Sequence, residues 1–208
     1  MSSFLLYNVL HIGGKLNEKV VLVFIFDGYA DWEPAYVCAE LNSPHTQYVV
    51  KTIGLTKEPI ISMGGFQIVP NYAISDYPKE FSMLILTGGF AWLQQKNNEI
   101  LPIVEYAVKN HIPVGAICNA TNFMAEHGYL NQIKHSGNTL KFMKSQAPHY
   151  AGEKHFTQRQ AVCDGNIITA NGSGALEFAK EILLLLNAKT ESDISKWYLE
   201  NKRGMFPY

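Results

Sequence analysis

Long hydrophobic runs are missing from this chain of 208 residues. The apolar stretch at residues 4–12 falls well short of the roughly 20 residues that a membrane-spanning helix needs. No Lys or Arg precedes that stretch and no small-residue cleavage site follows it, so a secretory signal is not expected. An imbalance of charge is missing too. With 17 Lys and Arg against 18 Asp and Glu, the formal net charge is −1, which removes any bulk electrostatic reason to expect a nucleic-acid or membrane partner. Cysteine is scarce, and Cys38, Cys118 and Cys163 are odd in number and widely spaced, with no CxxC pair among them. That excludes a disulfide framework and a cysteine metal knuckle, and it points to a reducing, cytoplasmic compartment with no metal or cofactor. Internal repeats, low-complexity tracts and interdomain linkers are likewise absent from the sequence.

The chain contains 47% hydrophobic and 17% charged residues, enough apolar material for the core of one α/β domain. Residues 19–26 (KVVLVFIF) form an uninterrupted β-branched and aromatic run, as expected of a strand buried on both faces of a parallel sheet. Residues 32–41 show helical spacing, with Asp31 as the expected N-cap and Pro34 tolerated in the first turn. Further strands are predicted at 47–53, 82–86 and 112–117, and helices at 100–110, 119–127 and 175–186. A small hairpin is expected where Met63-Gly64-Gly65 joins two short apolar segments, and another around Asp164-Gly165. Residues 72–78 read as a connector, residues 139–145 as a short helix, and residues 192–201 as an amphipathic segment. Strands alternating with helices predict a mainly parallel sheet covered on both faces.

In such sheets ligands bind beyond the carboxyl ends of the strands. Three strand-ending loops meet there, at residues 27–33, 87–90 and 117–120, and they carry a carboxylate, a pair of glycines and a cysteine. The stretch Val114-Gly115-Ala116-Ile117-Cys118-Asn119 reads as a buried strand that turns sharply into a helix with Cys118 at the turn. A thiol near the positive end of a helix is expected to have a lowered pKa. Free cysteine also serves as a small core hydrophobe, but a turn position faces the crevice and favours the reactive alternative. Cys38 and Cys163 are expected to be packing residues.

Glu33 either complements the dipole of its helix or faces Cys118, where a protonated carboxyl would donate to the thiolate. Gly88 and Gly89 either end a strand or present backbone N–H groups, with that of Asn119, to a substrate oxygen. A hydrolytic cysteine normally has a histidine within reach. Of the seven histidines, His135 in Lys134-His135-Ser136-Gly137-Asn138 is the best placed, ahead of His149 and His155.

With these landmarks in order, the chain resembles the ThiJ/PfpI family of the class I glutamine-amidotransferase-like superfamily. The resemblance runs from Lys19 to Asn187 and rests on the Asp27-Gly28…Glu33 loop, the Thr87-Gly88-Gly89 turn, the Ala116-Ile117-Cys118 elbow and the Asp164-Gly165-Asn166…Ile168-Thr169-Ala170 strand. It implies a flavodoxin-like three-layer α/β/α sandwich, a domain over residues 19–188, an N-terminal extension over 1–18 and a helical tail over 189–208 that packs on the domain or on a dimer partner. It matches the family's elbow cysteine to Cys118, its acidic partner to Glu33 and its oxyanion donors to Gly89 and Asn119.

Asn119 stands where protease-like members place a histidine, Ala120 replaces a glycine, and no His-x-Glu pair follows His155. These departures count against peptidase and glutamine-amidotransferase activity. The resemblance therefore implies a homodimeric, cysteine-dependent enzyme acting on small carbonyl or amide-like compounds, of glyoxalase, deglycase, hydrolase or hydratase type. A redox-sensing stress-response protein and a regulatory binding module are the alternatives.

Overall fold

The run KVVLVF forms β1 (Lys19–Phe24), whose last four residues are fully buried. In the computed structural model, which describes residues 18–205, β1 lies near the middle of a seven-stranded sheet of order β5-β2-β1-β6-β7-β9-β8. The other strands are β2 (Tyr48–Gly54), β5 (Tyr72–Ala73), β6 (Met83–Leu86), β7 (Val114–Ile117), β8 (Ala161–Asp164) and β9 (Ile167–Ala170). All pairings are parallel except that of β8 with β9, where Asp164-Gly165 makes the expected tight hairpin. Two short strands, β3 (Ile60–Ile61) and β4 (Gln67–Ile68), form a separate antiparallel hairpin.

Register decides where the strand-ending loops meet. Phe24 pairs with Leu86, Leu86 with Ala116, and Ala116 with Thr169. Four neighbouring strands thus end almost level, and the segments that follow them converge on one edge of the sheet.

Helices flank the sheet, as the alternating pattern predicts. They are α1 (Ala35–Leu41), α2 (Leu101–Lys109), α3 (Ala120–Glu126), α4 (Leu140–Gln146), α5 (Ala175–Leu185) and α6 (Glu191–Arg203). Helix α5 packs against β7 and β9 and against α1, and it comes close to the sheet because Gly115 has no side chain. A Cβ there would lie 2.8 Å from Cζ of the buried Phe178. Among the described residues, no helix is long and apolar enough to cross a membrane.

Three local expectations differ from the structure. Helix α1 begins at Ala35, and residues 31–34 form turns. Asp31 does not cap it, because its carboxylate accepts from the Ser62 hydroxyl at 3.0 Å and the Gly64 N–H at 3.2 Å. The connector at 72–78 contains β5, which extends the sheet beyond β2. A 3₁₀ turn at Phe90–Gln94, which the hydrophobic pattern does not announce, buries Trp92 against Phe24, Phe26 and Phe123. Its indole N–H donates to the Thr87 carbonyl at 2.8 Å.

The C-terminal segment forms α6, which packs on α5. Thr190 caps it, accepting from the Asp193 N–H at 3.1 Å. Glu177 of α5 accepts from the Tyr198 hydroxyl at 2.9 Å and the Lys202 ammonium at 2.7 Å, and Trp197 meets the ring of Tyr36 on α1 edge to face. Just before the helix, Lys189 pairs with Glu40 of α1. Ile194 supplies the apolar anchor and is 1% exposed. Residues 1–17 of the expected N-terminal extension lie outside the described residues, as does Phe206. Truncating the anchor with Ile194→Ala removes a buried side chain, and urea denaturation should show a loss of about 2–4 kcal/mol.

Candidate active site

The elbow after β7 is a strained turn held at both ends. Cys118 has φ +58°, in the left-handed region that costs a residue with a Cβ on the order of 1–2 kcal/mol. Its N–H donates to the Ala170 carbonyl at 2.9 Å, continuing the β7–β9 ladder, and its carbonyl accepts from the Thr121 N–H at 3.1 Å and hydroxyl at 2.6 Å. Helix α3 starts one residue past Asn119, whose side-chain amide donates to the Gly89 carbonyl at 3.1 Å. Two glycines leave the sulfur its space. A Cβ on Gly172 would lie 3.0 Å from Sγ, and one on Gly88 would lie 2.6 Å from the Cys118 Cβ and 2.5 Å from a Glu33 oxygen.

Glu33 reaches the same point from the loop after β1. That loop is fastened on both sides. The Ile61 N–H donates to Asp27 at 2.8 Å, the Met63 N–H donates to the Tyr29 carbonyl at 2.8 Å, and the Ala30 N–H donates to the Gly88 carbonyl at 3.0 Å. The β3–β4 hairpin therefore serves as a buttress for the loop that carries the carboxyl. Glu33 is 1% exposed, and its Oε2 accepts from the Gly88 N–H at 2.6 Å. Its Oε1 is buried with no conventional hydrogen-bond partner among the described residues, and the group set against the carboxyl is the Cys118 thiol.

Burial dominates the electrostatics of this pair. It raises the Glu33 carboxyl to about 7, against the lowering effect of the Gly88 N–H and the Cys118 thiol. It also raises the Cys118 thiol to about 11, with the Glu33 charge adding to the rise. The lowered thiol pKa expected from the sequence is therefore corrected: a seven-residue helix does not outweigh desolvation and a neighbouring carboxylate. The Asn138 side-chain amide, 3.4 Å from Sγ, and the Asn119 backbone N–H work in the opposite direction and favour the thiolate. Between these limits the pair holds one proton and one negative charge.

The site residues expected from the sequence divide cleanly. The fold brings Cys118, Glu33, Gly88, Gly89 and Asn119 together. Gly88 differs in role, because its N–H is committed to Glu33 and so orients the carboxyl instead of awaiting a substrate oxygen. His135 is not brought to the thiol. It is fully buried, and its Nδ1 lies 2.8 Å from the Ile133 carbonyl and its Nε2 2.6 Å from the Tyr150 hydroxyl. Burial also lowers its pKa, and the ring packs against Tyr150 and Phe156.

The loop around His135 does reach the site, through Asn138 three residues on. The Asn138 Nδ2 approaches both Sγ and the Asn119 Oδ1, and its Oδ1 accepts from the Gly172 N–H at 2.9 Å. A search for a base among titratable side chains passes over an amide. Cys38 is pushed up to about 12 by burial, and Cys163 is raised by the same cause, as packing cysteines are. Among the described residues, no three His, Cys, Asp or Glu side chains converge as metal ligands do.

The Glu33 shift has a consequence for stability. A carboxyl at about 7 in the folded protein and 4.5 as a free side chain binds its proton more tightly when folded. Its contribution is fully present below pH 4.5 and is lost as pH rises through 7, by on the order of 3 kcal/mol. Glu33→Gln, which keeps the acceptor for Gly88 without the charge, should lack this loss, so its advantage over the wild type in denaturant should grow between pH 4.5 and 7.

Comparison with known proteins agrees with this fold. A profile of the DJ-1/PfpI family matches residues 19–185. The chain is 36% identical over 191 residues to the uncharacterized protease YdeA of Bacillus subtilis, covering 91% of this chain and 94% of that one. It is 35% identical over 194 residues to the uncharacterized protease YoaZ of the same organism, covering 90% and 92%. The crystal structure of a thiJ/pfpI family protein from Bacillus anthracis superposes with a TM-score of 0.83 at 36% identity over 92% of both chains. The match spans the sheet, the elbow and the Glu33 loop together, and the chain belongs to the DJ-1/PfpI family.

Proposed function

We propose that the protein is a cysteine-dependent enzyme acting on small carbonyl compounds, with Cys118 as nucleophile and Glu33 as its proton partner. The observation that carries this proposal is the buried Glu33 carboxyl set against the thiol, with its pKa raised to about 7. A carboxyl near neutrality both accepts and returns a proton at working pH.

In an α-oxoaldehyde such as methylglyoxal, the chemistry balances as follows. The thiol proton passes to Glu33, and the sulfur adds to the aldehyde carbon. The resulting oxyanion lies toward the Gly89 and Asn119 backbone N–H groups and takes the proton from Glu33. Glu33 then moves a proton from the former aldehyde carbon to the neighbouring carbonyl carbon, while the hydroxyl proton on the former aldehyde oxygen passes to the ketone oxygen, leaving a thioester with an adjacent hydroxyl. Water cleaves the thioester, giving lactate and the free thiol. The aldehyde carbon is oxidised, the ketone carbon is reduced, and one water is consumed.

Peptide hydrolysis is less well supported, although both Bacillus subtilis relatives carry the name protease. An amide leaving group needs a strong acid at the nitrogen. Asn119 occupies the position after the cysteine, and both ring nitrogens of His135 are engaged elsewhere. Homodimer formation belongs to the same proposal and is supported by Ile61, Phe66 and Val69, which the hairpin region leaves exposed.

Lactate formation from methylglyoxal should vanish in Cys118→Ala, and equal rates in wild type and variant would sink the proposal. Glu33→Gln should lower kcat/KM by roughly 100- to 10,000-fold. The wild-type pH profile should rise through about 7 as the pair loses its first proton, and fall near 11 as it loses the second. A profile that rises only at the ordinary thiol pKa would show that Glu33 takes no part.

A further inference from the structure

We propose that the cleft beside Cys118 selects α-oxoaldehydes that carry a carboxylate, and that Arg159 is the group that binds it. This rests on the proposed roles of Cys118 and Glu33 and names the substrate class for that same site.

The cleft has a volume of about 440 Å³, within the range of small-molecule sites. Its walls include Asn138, Thr139, Gln158, Gln160 and Asn171, all neutral hydrogen-bonding side chains. Arg159 is the one charged residue in the lining, which contains no Asp or Glu. Among the described residues no carboxylate pairs with its guanidinium. An exposed guanidinium on a lining residue, among neighbours that carry amides, suits an anion, and its planar fork matches a carboxylate.

Two residues tie this cleft to the reacting sulfur. Asn138 lines it and also places Nδ2 3.4 Å from Cys118 Sγ. Asn171 lines it too, and the next residue, Gly172, is so close to the sulfur that a Cβ would lie 3.0 Å from Sγ. The backbone under Arg159 is fixed. Its carbonyl accepts from the Ser136 hydroxyl, and its N–H donates to the Thr157 carbonyl at 2.9 Å. The segment therefore holds its place beside the loop that delivers Asn138, while the Arg159 side chain stays exposed for exchange.

The reaction balances as for methylglyoxal. With γ,δ-dioxovalerate, the aldehyde carbon is oxidised to a carboxylate, the ketone carbon is reduced to a carbinol, and one water is added to give α-hydroxyglutarate. The distal carboxylate is unchanged throughout and serves only for binding.

Two measurements on the full chain test the proposal and separate it from the proposed chemistry. Levulinate has the same carbon skeleton without the aldehyde, so it can bind but not react. It should slow alkylation of Cys118 by iodoacetamide at millimolar concentration, methyl levulinate should not, and Arg159→Gln should abolish the protection. Equal protection by the acid and the ester, or none by the acid, overturns the proposal. In turnover, kcat/KM for γ,δ-dioxovalerate should exceed that for methylglyoxal by about tenfold or more, a ratio that falls toward one in Arg159→Gln and below one in Arg159→Glu. A ratio near one in the wild type, or one unmoved by either variant, also overturns it. Selective protection by levulinate without turnover of either aldehyde would uphold the anion site and reject the thiol chemistry.

Discussion

The burial of one carboxyl group governs the geometry around Cys118. Glu33 lies beneath the elbow with one oxygen held by the Gly88 N–H and its carboxyl set against the thiol. Taking a carboxyl out of water is costly, and a protein tolerates it when the surrounding structure fixes the group in place. Here the fixing elements come from far apart in the chain. The β3–β4 hairpin fastens residues 27–31, the β6 turn supplies the N–H, and the level ends of β1, β6, β7 and β9 set the spacing. The strain at Cys118 belongs to the same arrangement, because the φ of +58° aims the thiol into the place where the carboxyl waits.

Much of this was legible in the sequence, for identifiable reasons. The sheet could be read because its central strands are unbroken apolar runs, a pattern that parallel strands covered on both faces require. The elbow could be read because a buried strand that ends at a cysteine and passes directly into a helix has few alternative geometries. Glu33 could be placed at a strand-ending loop, yet its orientation depends on a hydrogen bond to Gly88 that no local pattern encodes. Asp31 shows the limit of local rules: it has the chemistry of an N-cap, but tertiary partners in the hairpin take its carboxylate. Trp92 escaped notice because a 3₁₀ turn has too few residues to display a period.

His135 and Asn138 illustrate the other limit. Both lie in one short loop after α3, and a titratable ring is the natural choice for a partner to a thiol. The loop backbone is pinned by the His135–Phe156 bridge and by Ser136, which turns the ring inward toward Tyr150 and leaves the site to the amide. Asn138 then links two strand-ending segments, contacting Cys118 and Asn119 after β7 and Gly172 after β9. An amide can donate and accept at once without gaining or losing charge, which suits a position beside a group whose own charge changes.

The closeness of Gly88 and Gly172 to the sulfur bears on how this site can evolve. Where a Cβ would strike the thiol or its carboxyl partner, few substitutions are tolerated, and the reacting pair is enclosed by main chain that selection cannot easily reshape. Variation in preference must then arise at a distance, at Gln158, Arg159 and Gln160 in the cleft wall, whose side chains can change without disturbing the thiol. A scaffold of this kind keeps one reactive centre while its descendants diverge in what they admit to it.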